Sequence, residues 1–313
     1  LAAPPGVEQT ARMVLAFPQR TRRRALQARL GARRAWRLTW IVAVAVIGGL
    51  AAAFFANLCD QAMVLHARLY AWARLPSLLL LPSGFALAAW LTRRLAPEAS
   101  GSGIPQVIAA AGERRGRWDA HRVTLKTAAW KVVLTAGMLV CGASVGREGP
   151  TVQVVAGVMR TLTRGLRGGP GRRAIIIAGG AAGVAAAFNT PIAGVVFALE
   201  ELAVSFERRT HTTVILVVVI AGLASYALHG DYAYFGVLGG HAPLGSAWLA
   251  APIIGVFGGL FGGLFSRILT TFIGQGENPV AVWRRAHPVL FALICGLVAA
   301  GVALISGNLT LGA

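Results

Sequence analysis

Acidic residues are scarce in this chain. Its 313 residues carry 11 Asp and Glu against 30 Lys and Arg, and charged residues of every kind make up only 13%. An average soluble domain is about one quarter charged, so the shortage excludes an ordinary water-soluble globule. Cysteine is nearly absent. Cys59, Cys141 and Cys295 sit in apolar surroundings at no metal-like spacing, which excludes a disulfide framework and a cysteine metal site. The six histidines, at 66, 121, 211, 229, 241 and 287, are scattered without a ligand-like pair. An intramembrane enzyme needs a nucleophile with its base, or clustered metal ligands. Neither pattern is present, so we expect no enzyme, no metal and no cofactor. An apolar core of about 7–15 residues near Leu1 is missing too, so we expect these residues not to be a secretory signal peptide.

What remains is apolar. Hydrophobic residues make up 56% of the chain, and the mean hydropathy is +0.65. The windows 40–58, 76–90, 132–146, 213–228, 247–265 and 288–305 approach the roughly 20 apolar residues that cross a bilayer core. They predict an all-α polytopic membrane protein in contact with a lipid bilayer. Of the 30 basic residues, 28 are Arg, and eight of these precede Ala35. A net charge of +19 suggests nucleic acid at first sight. The positive-inside bias of membrane proteins accounts for it better, against an RNA-binding arm or a transit peptide. Residues 1–35 then form a basic cytoplasmic segment before the first span, with no nucleic-acid partner. The clusters at Arg114, Arg115 and Arg117, at 160–173, at Arg208 and Arg209, and at Arg284 and Arg285 lie between apolar stretches, as loop charges do.

After the span at 76–90 the apolar stretches shorten and are broken by Gly and Pro. Residues 104–111 are too few to cross a membrane. The stretches 150–159 and 191–206 are also short, and each opens with a proline suited to the first helical turn. Broken helices survive at membrane depth only where protein or a water-filled cavity satisfies their backbone groups. In transporters such segments point to the binding site. Glycines four apart (Gly179 and Gly183; Gly255, Gly259 and Gly263; Gly258 and Gly262) permit close helix packing and are assigned no chemistry.

Three segments combine these breaks with chemistry. In Gly101-Ser-Gly-Ile-Pro105, two glycines allow close backbone approach, and Pro105 marks the first turn of a helix. The N–H groups there, at the positive end of the helix dipole, suit an anion, and the Ser102 hydroxyl adds a donor. In Gly146-Arg-Glu-Gly-Pro150 a second helix starts the same way. The fifteen residues before Arg147 and the eleven after Glu148 carry no charge. Glu148 is a tethered carboxylate able to hold the place a free anion would take, and it loosens its hold when protonated. Arg147 is expected to be held elsewhere, because adjacent residues seldom point the same way. In the third segment, 188–201, Asn189 or Thr190 is expected to cap a helix opened by Pro191. Glu200 and Glu201 lie at its far end, about 100° apart around the axis. One suits a structural partner for a loop arginine, the other a proton relay facing a water-filled vestibule.

In order and spacing, GSGIP at 101–105, GREGPTVQ at 146–153 and AAFNTPIAGVVFALEE at 186–201 resemble the ClC family of chloride channels and chloride/proton antiporters. The resemblance runs from about Trp36 to the end of the sequence. It implies a ClC-type inverted-repeat architecture of short, broken and tilted helices. The first repeat would occupy 36–228, a connecting loop 229–245 and the start of the second repeat 246–313. It implies that Ser102, with the N–H groups near Gly103, Ile104 and Gly149, binds chloride. Glu148 would gate the anion path and carry the proton, and Glu201 would be the internal proton-transfer residue of the antiporters. The family's channel members usually have an apolar residue at that position, so Glu201 favours exchange over passive conduction. A homodimer with one pathway per subunit is also implied.

The family carries a later G-x-F-x-P motif and a later tyrosine that complete the anion site, and neither occurs before Ala313. The expectation is therefore that the sequence is a fragment ending inside the second repeat. A passive chloride channel is the alternative reading. A fluoride/proton antiporter comes third, with the GSGIP serine against it, and a non-transport membrane protein last. The expected location is a bacterial inner membrane with a cytoplasmic N-terminus.

Overall fold

A computed structural model of the chain describes residues 5–112, 122–165, 171–202, 208–230, 247–273 and 278–306. Helices and turns account for these residues, with no strand among them. The connection at 231–246 and the cluster at Arg114, Arg115 and Arg117 lie outside the described residues.

Helix α1 spans Pro5–Trp72 and α2 Arg74–Leu95. The boundary at residue 35, expected between a basic segment and the first span, falls inside α1. Residues 32–47 contain neither Gly nor Pro to stop a helix, so α1 runs straight through it. A 3₁₀ turn, Pro97–Ala99, leads to α3 (Ile104–Gly112). Then come α4 (Leu125–Val140), α5 (Glu148–Leu162), α6 (Arg172–Phe188) and α7 (Pro191–Phe197), which continues into a π turn at Ala198–Leu202. The remaining helices are α8 (Arg208–His229), α9 (Ala247–Ile273), α10 (Pro279–Ala286) and α11 (Pro288–Ser306). Among the described residues, four segments are long and apolar enough to cross a membrane: Leu26–Trp72, Arg74–Leu95, Ala250–Phe272 and Pro288–Ser306. The apolar window 132–146 is not one continuous span. Helix α4 ends at Val140, and Gly142 turns the chain with φ +87° before α5 begins.

Helix α6 is the centre of the bundle. Every residue from Ala174 to Ala187 is buried, between α5, α8, α1, α3 and α7. Its row of Ala and Gly explains this position. Apolar burial gives helices little reason to associate within lipid, so close packing must supply the attraction. A Cβ added to Gly179 would lie 2.8 Å from Ala156 Cα, and one on Gly183 would lie 2.8 Å from Val152 Cα. The α5–α6 crossing is therefore backbone against backbone. The glycines of α9 differ: Gly255, Gly258, Gly259, Gly262 and Gly263 meet nothing within 4 Å among the described residues. A second cluster joins distant parts of the chain, with Leu78 and Leu81 of α2 against Ala300 and Ala303 of α11.

Neither Asn189 nor Thr190 caps α7 through its side chain. Thr190 occupies the N-cap position without a side-chain bond. Asn189 instead ends α6 in the left-handed region, φ 55°, with its N–H donating to Ala185 O. Asparagine tolerates that conformation better than most residues, and it turns the chain sharply between the two helices.

Candidate ion site

The segment from Glu98 to Gly101 is held by its carbonyl groups. Gln153 Nε2 of α5 donates to Glu98 O at 2.9 Å and to Arg122 O at 2.8 Å. Lys131 Nζ of α4 donates to Ala99 O and Gly101 O, both at 2.7 Å. Gln106 Nε2 of α3 donates to Ser100 O at 2.5 Å. Four successive carbonyls are thus tied to side chains from three helices. Gly101 and Gly103 have φ of +67° and +106°, a region that strains other L-residues. That is why the chain can turn twice around Ser102 before α3 starts. The first α3 bond runs from Val107 N to Gly103 O at 3.1 Å, so the N–H groups ahead of it lack an acceptor within the helix.

Helix α5 begins against this turn. A Cβ on Gly149 would lie 2.9 Å from Ser102 O and 3.1 Å from Ser102 Cβ. One on Gly103 would lie 2.9 Å from Gln153 Cβ and 3.0 Å from Gly149 O. Only glycine at both positions lets the starts of α3 and α5 approach so closely. Pro150, in the first turn of α5, has no N–H to leave unpaired.

The two charges of GREGP diverge. Arg147, the N-cap residue of α5, donates through Nη1 to Asp60 Oδ1 at 2.5 Å and to Ala56 O at 3.2 Å. Ala56 and Asp60 lie one turn apart on α1, so the guanidinium grips that helix. Glu148, the first residue of α5, is half-buried, and its carboxylate folds back over Gly146. A side chain at position 146 would take the carboxylate's place.

Ser102, Ile104, Glu148 and Gly149 line one cavity of about 660 Å³, together with Lys131, Gly146 and Pro150. Thr92 and Arg93 of α2 and Pro288 of α11 complete part of its wall. Aliphatic side chains alternate with polar ones in this wall, and Arg93, Lys131 and Glu148 are its charged groups. Gly103, between Ser102 and Ile104 in the chain, is buried and is not part of this lining. Glu201 does not line this cavity. It lies exposed, as does Glu200, in the π turn that packs against α3 and α6.

Reading the sequence by motif missed Asp60, Lys131 and Gln153. Each carried a signal of the kind that marked Glu148, namely a charged or polar side chain inside an apolar stretch. Lys131 stands out further as one of only two lysines in the chain.

Taken together, the long apolar helices and the broken ones meeting at a polar cavity define an all-helical, polytopic membrane protein built around a shared turn. The sequence model of the family described as voltage gated chloride channel matches residues 84–313, and the chain belongs to that family. Its fold is similar to that in the X-ray crystal structure of a slow cyanobacterial Cl⁻/H⁺ antiporter, with TM-score 0.67 and 24% identity, over 84% of this chain and 63% of that one. It is similar also to a CLC-type fluoride/proton antiporter, with TM-score 0.69 and 23% identity, over 87% of this chain and 65% of that one. The chain therefore spans less than two thirds of the length of either.

Proposed function

We propose that the protein exchanges chloride for protons across a membrane, with Ser102 and Glu148 at one anion site. The reading is supported above all by one observation: both residues wall the same cavity, where the starts of α3 and α5 meet. Chloride is held there by the Ser102 hydroxyl and by N–H groups at Gly103, Ile104 and Gly149. The positive ends of two helix dipoles and the Lys131 ammonium favour a negative charge in that place.

Glu148 is the competitor. Ionised, its carboxylate occupies the positive region and opposes chloride. Protonated, it is neutral and yields the region to the free ion. One group thus couples the two movements, because the anion enters when the proton is bound. Glu201 supplies the second proton-transfer position, reached from the other side of the membrane. The family resemblance favours exchange over passive conduction through this residue. The protein acts as a homodimer in a bacterial inner membrane, with its N-terminus in the cytoplasm.

Paired recording of chloride and pH in vesicles containing the purified protein tests the reading. Wild type should drive protons against their gradient as chloride moves. Glu148→Ala should pass chloride and move no protons. Proton pumping like wild type in that variant refutes the gate, and absence of chloride flux in wild type refutes the transport reading.

A further inference from the structure

Lys131 is 2% exposed and faces the anion cavity from α4, yet its ammonium is spent on backbone. Burying a lysine is unfavourable unless its donors are satisfied, and here two of them reach Ala99 O and Gly101 O at 2.7 Å each. No peptide among the described residues is cis. In a trans peptide the carbonyl of one residue points opposite to the N–H of the next. Pulling Gly101 O onto Lys131 therefore turns the Ser102 N–H the other way, and pulling Ala99 O does the same for Ser100. Left untied, a carbonyl next to the cavity would present its negative end to an anion.

We infer that Lys131 is the positioning residue of the anion site: it sets the orientation of the 99–103 turn, and so decides which anion fits beside Ser102. The inference rests on the chloride reading of that site. Lys131 acts through the turn, with Gln153 and Gln106 tying the neighbouring carbonyls Glu98 O and Ser100 O. This separates it from a charge that merely attracts. A field alone changes the affinity for all monovalent anions by one factor. A displaced turn changes their ratio, because anions differ in radius and shape.

Chloride and nitrate binding to the purified protein, measured by calorimetry well below the melting temperature, provides the test. Lys131→Met keeps an unbranched stem one atom shorter and removes charge and donors. Its chloride affinity should fall about tenfold or more, the range expected for a lost charged hydrogen bond. The chloride-to-nitrate ratio should change as well. Equal loss for both anions, or no loss, overturns the positioning role and leaves the anion site standing. Absence of chloride binding in wild type overturns both.

If Lys131→Met does not fold, wild type still decides. Labelling with [¹³C,¹⁵N]lysine gives signals from just Lys126 and Lys131, assigned with Lys126→Arg. Replacing gluconate by chloride should shift the Lys131 Nζ resonance and leave Lys126, exposed on the surface of α4, unmoved. An unmoved Lys131 signal in a protein that binds chloride overturns the inference.

Discussion

Arg147 Nη1 lies 2.5 Å from Asp60 Oδ1, and through this pair the start of α5 is fastened to α1. The two residues adjoin different parts of the chain's logic. Asp60 belongs to the long first helix, while Arg147 immediately precedes the glutamate that lines the cavity. Asp60 remains about half exposed, with side-chain exposure of 48% against 19% for Arg147. Water therefore screens the attraction, and the contact to Ala56 O survives if the charge is lost. Asp60→Asn should lower stability by only about 0.2–1 kcal/mol, the range for solvent-exposed pairs. Arg147→Met removes both contacts to α1 and should be the more damaging change. Thermal melting of the two variants in detergent checks the order; a reversed order would show that Asp60, not the grip on α1, is what matters.

The contact between Gly149 and Ser102 predicts a coupled loss of stability and binding. An added methyl would lie 2.9 Å from Ser102 O, closer than nonbonded carbon and oxygen tolerate. Gly149→Ala must therefore push α5 away from the 99–103 turn. Overpacking of this kind destabilises by about 1–3 kcal/mol. Chloride affinity should fall about tenfold, equivalent to about 1.4 kcal/mol, because the two helix starts no longer converge. Calorimetric chloride titration of the folded variant measures this. Gly103→Ala should be worse, since its φ of +106° disfavours alanine independently of space.

How much of this was legible in the sequence depends on how far apart the partners lie. Apolar windows and proline-opened segments announce the helices, and the flanking glycines of Ser102 and Glu148 mark both helix starts. These signals are local, so one stretch of chain carries each of them. Asp60 was not legible as the partner of Arg147, 87 residues away. Nor was Lys131, whose carbonyl partners are 32 and 30 residues distant, or Gln153, which reaches back 55 residues to Glu98. Backbone carbonyls leave no mark in sequence, so a side chain that anchors them reads only as a misplaced polar residue. The error at Asn189 has a different cause. A cap residue suits the end of one helix as well as the start of the next, and the left-handed turn after Phe188 decided between them.

The α5–α6 crossing gives a contrast between two glycines. Gly183→Ala places a methyl 2.8 Å from Val152 Cα, where no side chain can rotate aside. The two helices must separate, and a loss of about 1–3 kcal/mol is expected. Gly137 of α4 meets nothing within 4 Å among the described residues. Gly137→Ala should be neutral, or stabilise by up to about 0.5–1 kcal/mol through helix propensity. Melting temperatures of the pair test whether small residues in α6 are there for contact or merely tolerated.

Glu201 carries the prediction that separates exchange from passive conduction. It sits exposed in the Ala198–Leu202 turn, outside the cavity that Ser102 and Glu148 share. Leu202 beside it is buried, and a Cβ on Gly180 would lie 3.0 Å from its Cδ1, so the turn is anchored on α6. Replacing an exposed carboxylate by its amide leaves that packing untouched, and Glu201→Gln should melt within about 0.5 kcal/mol of wild type. If Glu201 passes protons toward Glu148, the variant should conduct chloride and fail to drive protons against their gradient. Glu200→Gln is the control, one position away in the same turn and equally exposed, and it should retain coupling. Coupled proton movement in Glu201→Gln assigns the relay elsewhere, and its loss in Glu200→Gln alone assigns it to the neighbouring carboxylate.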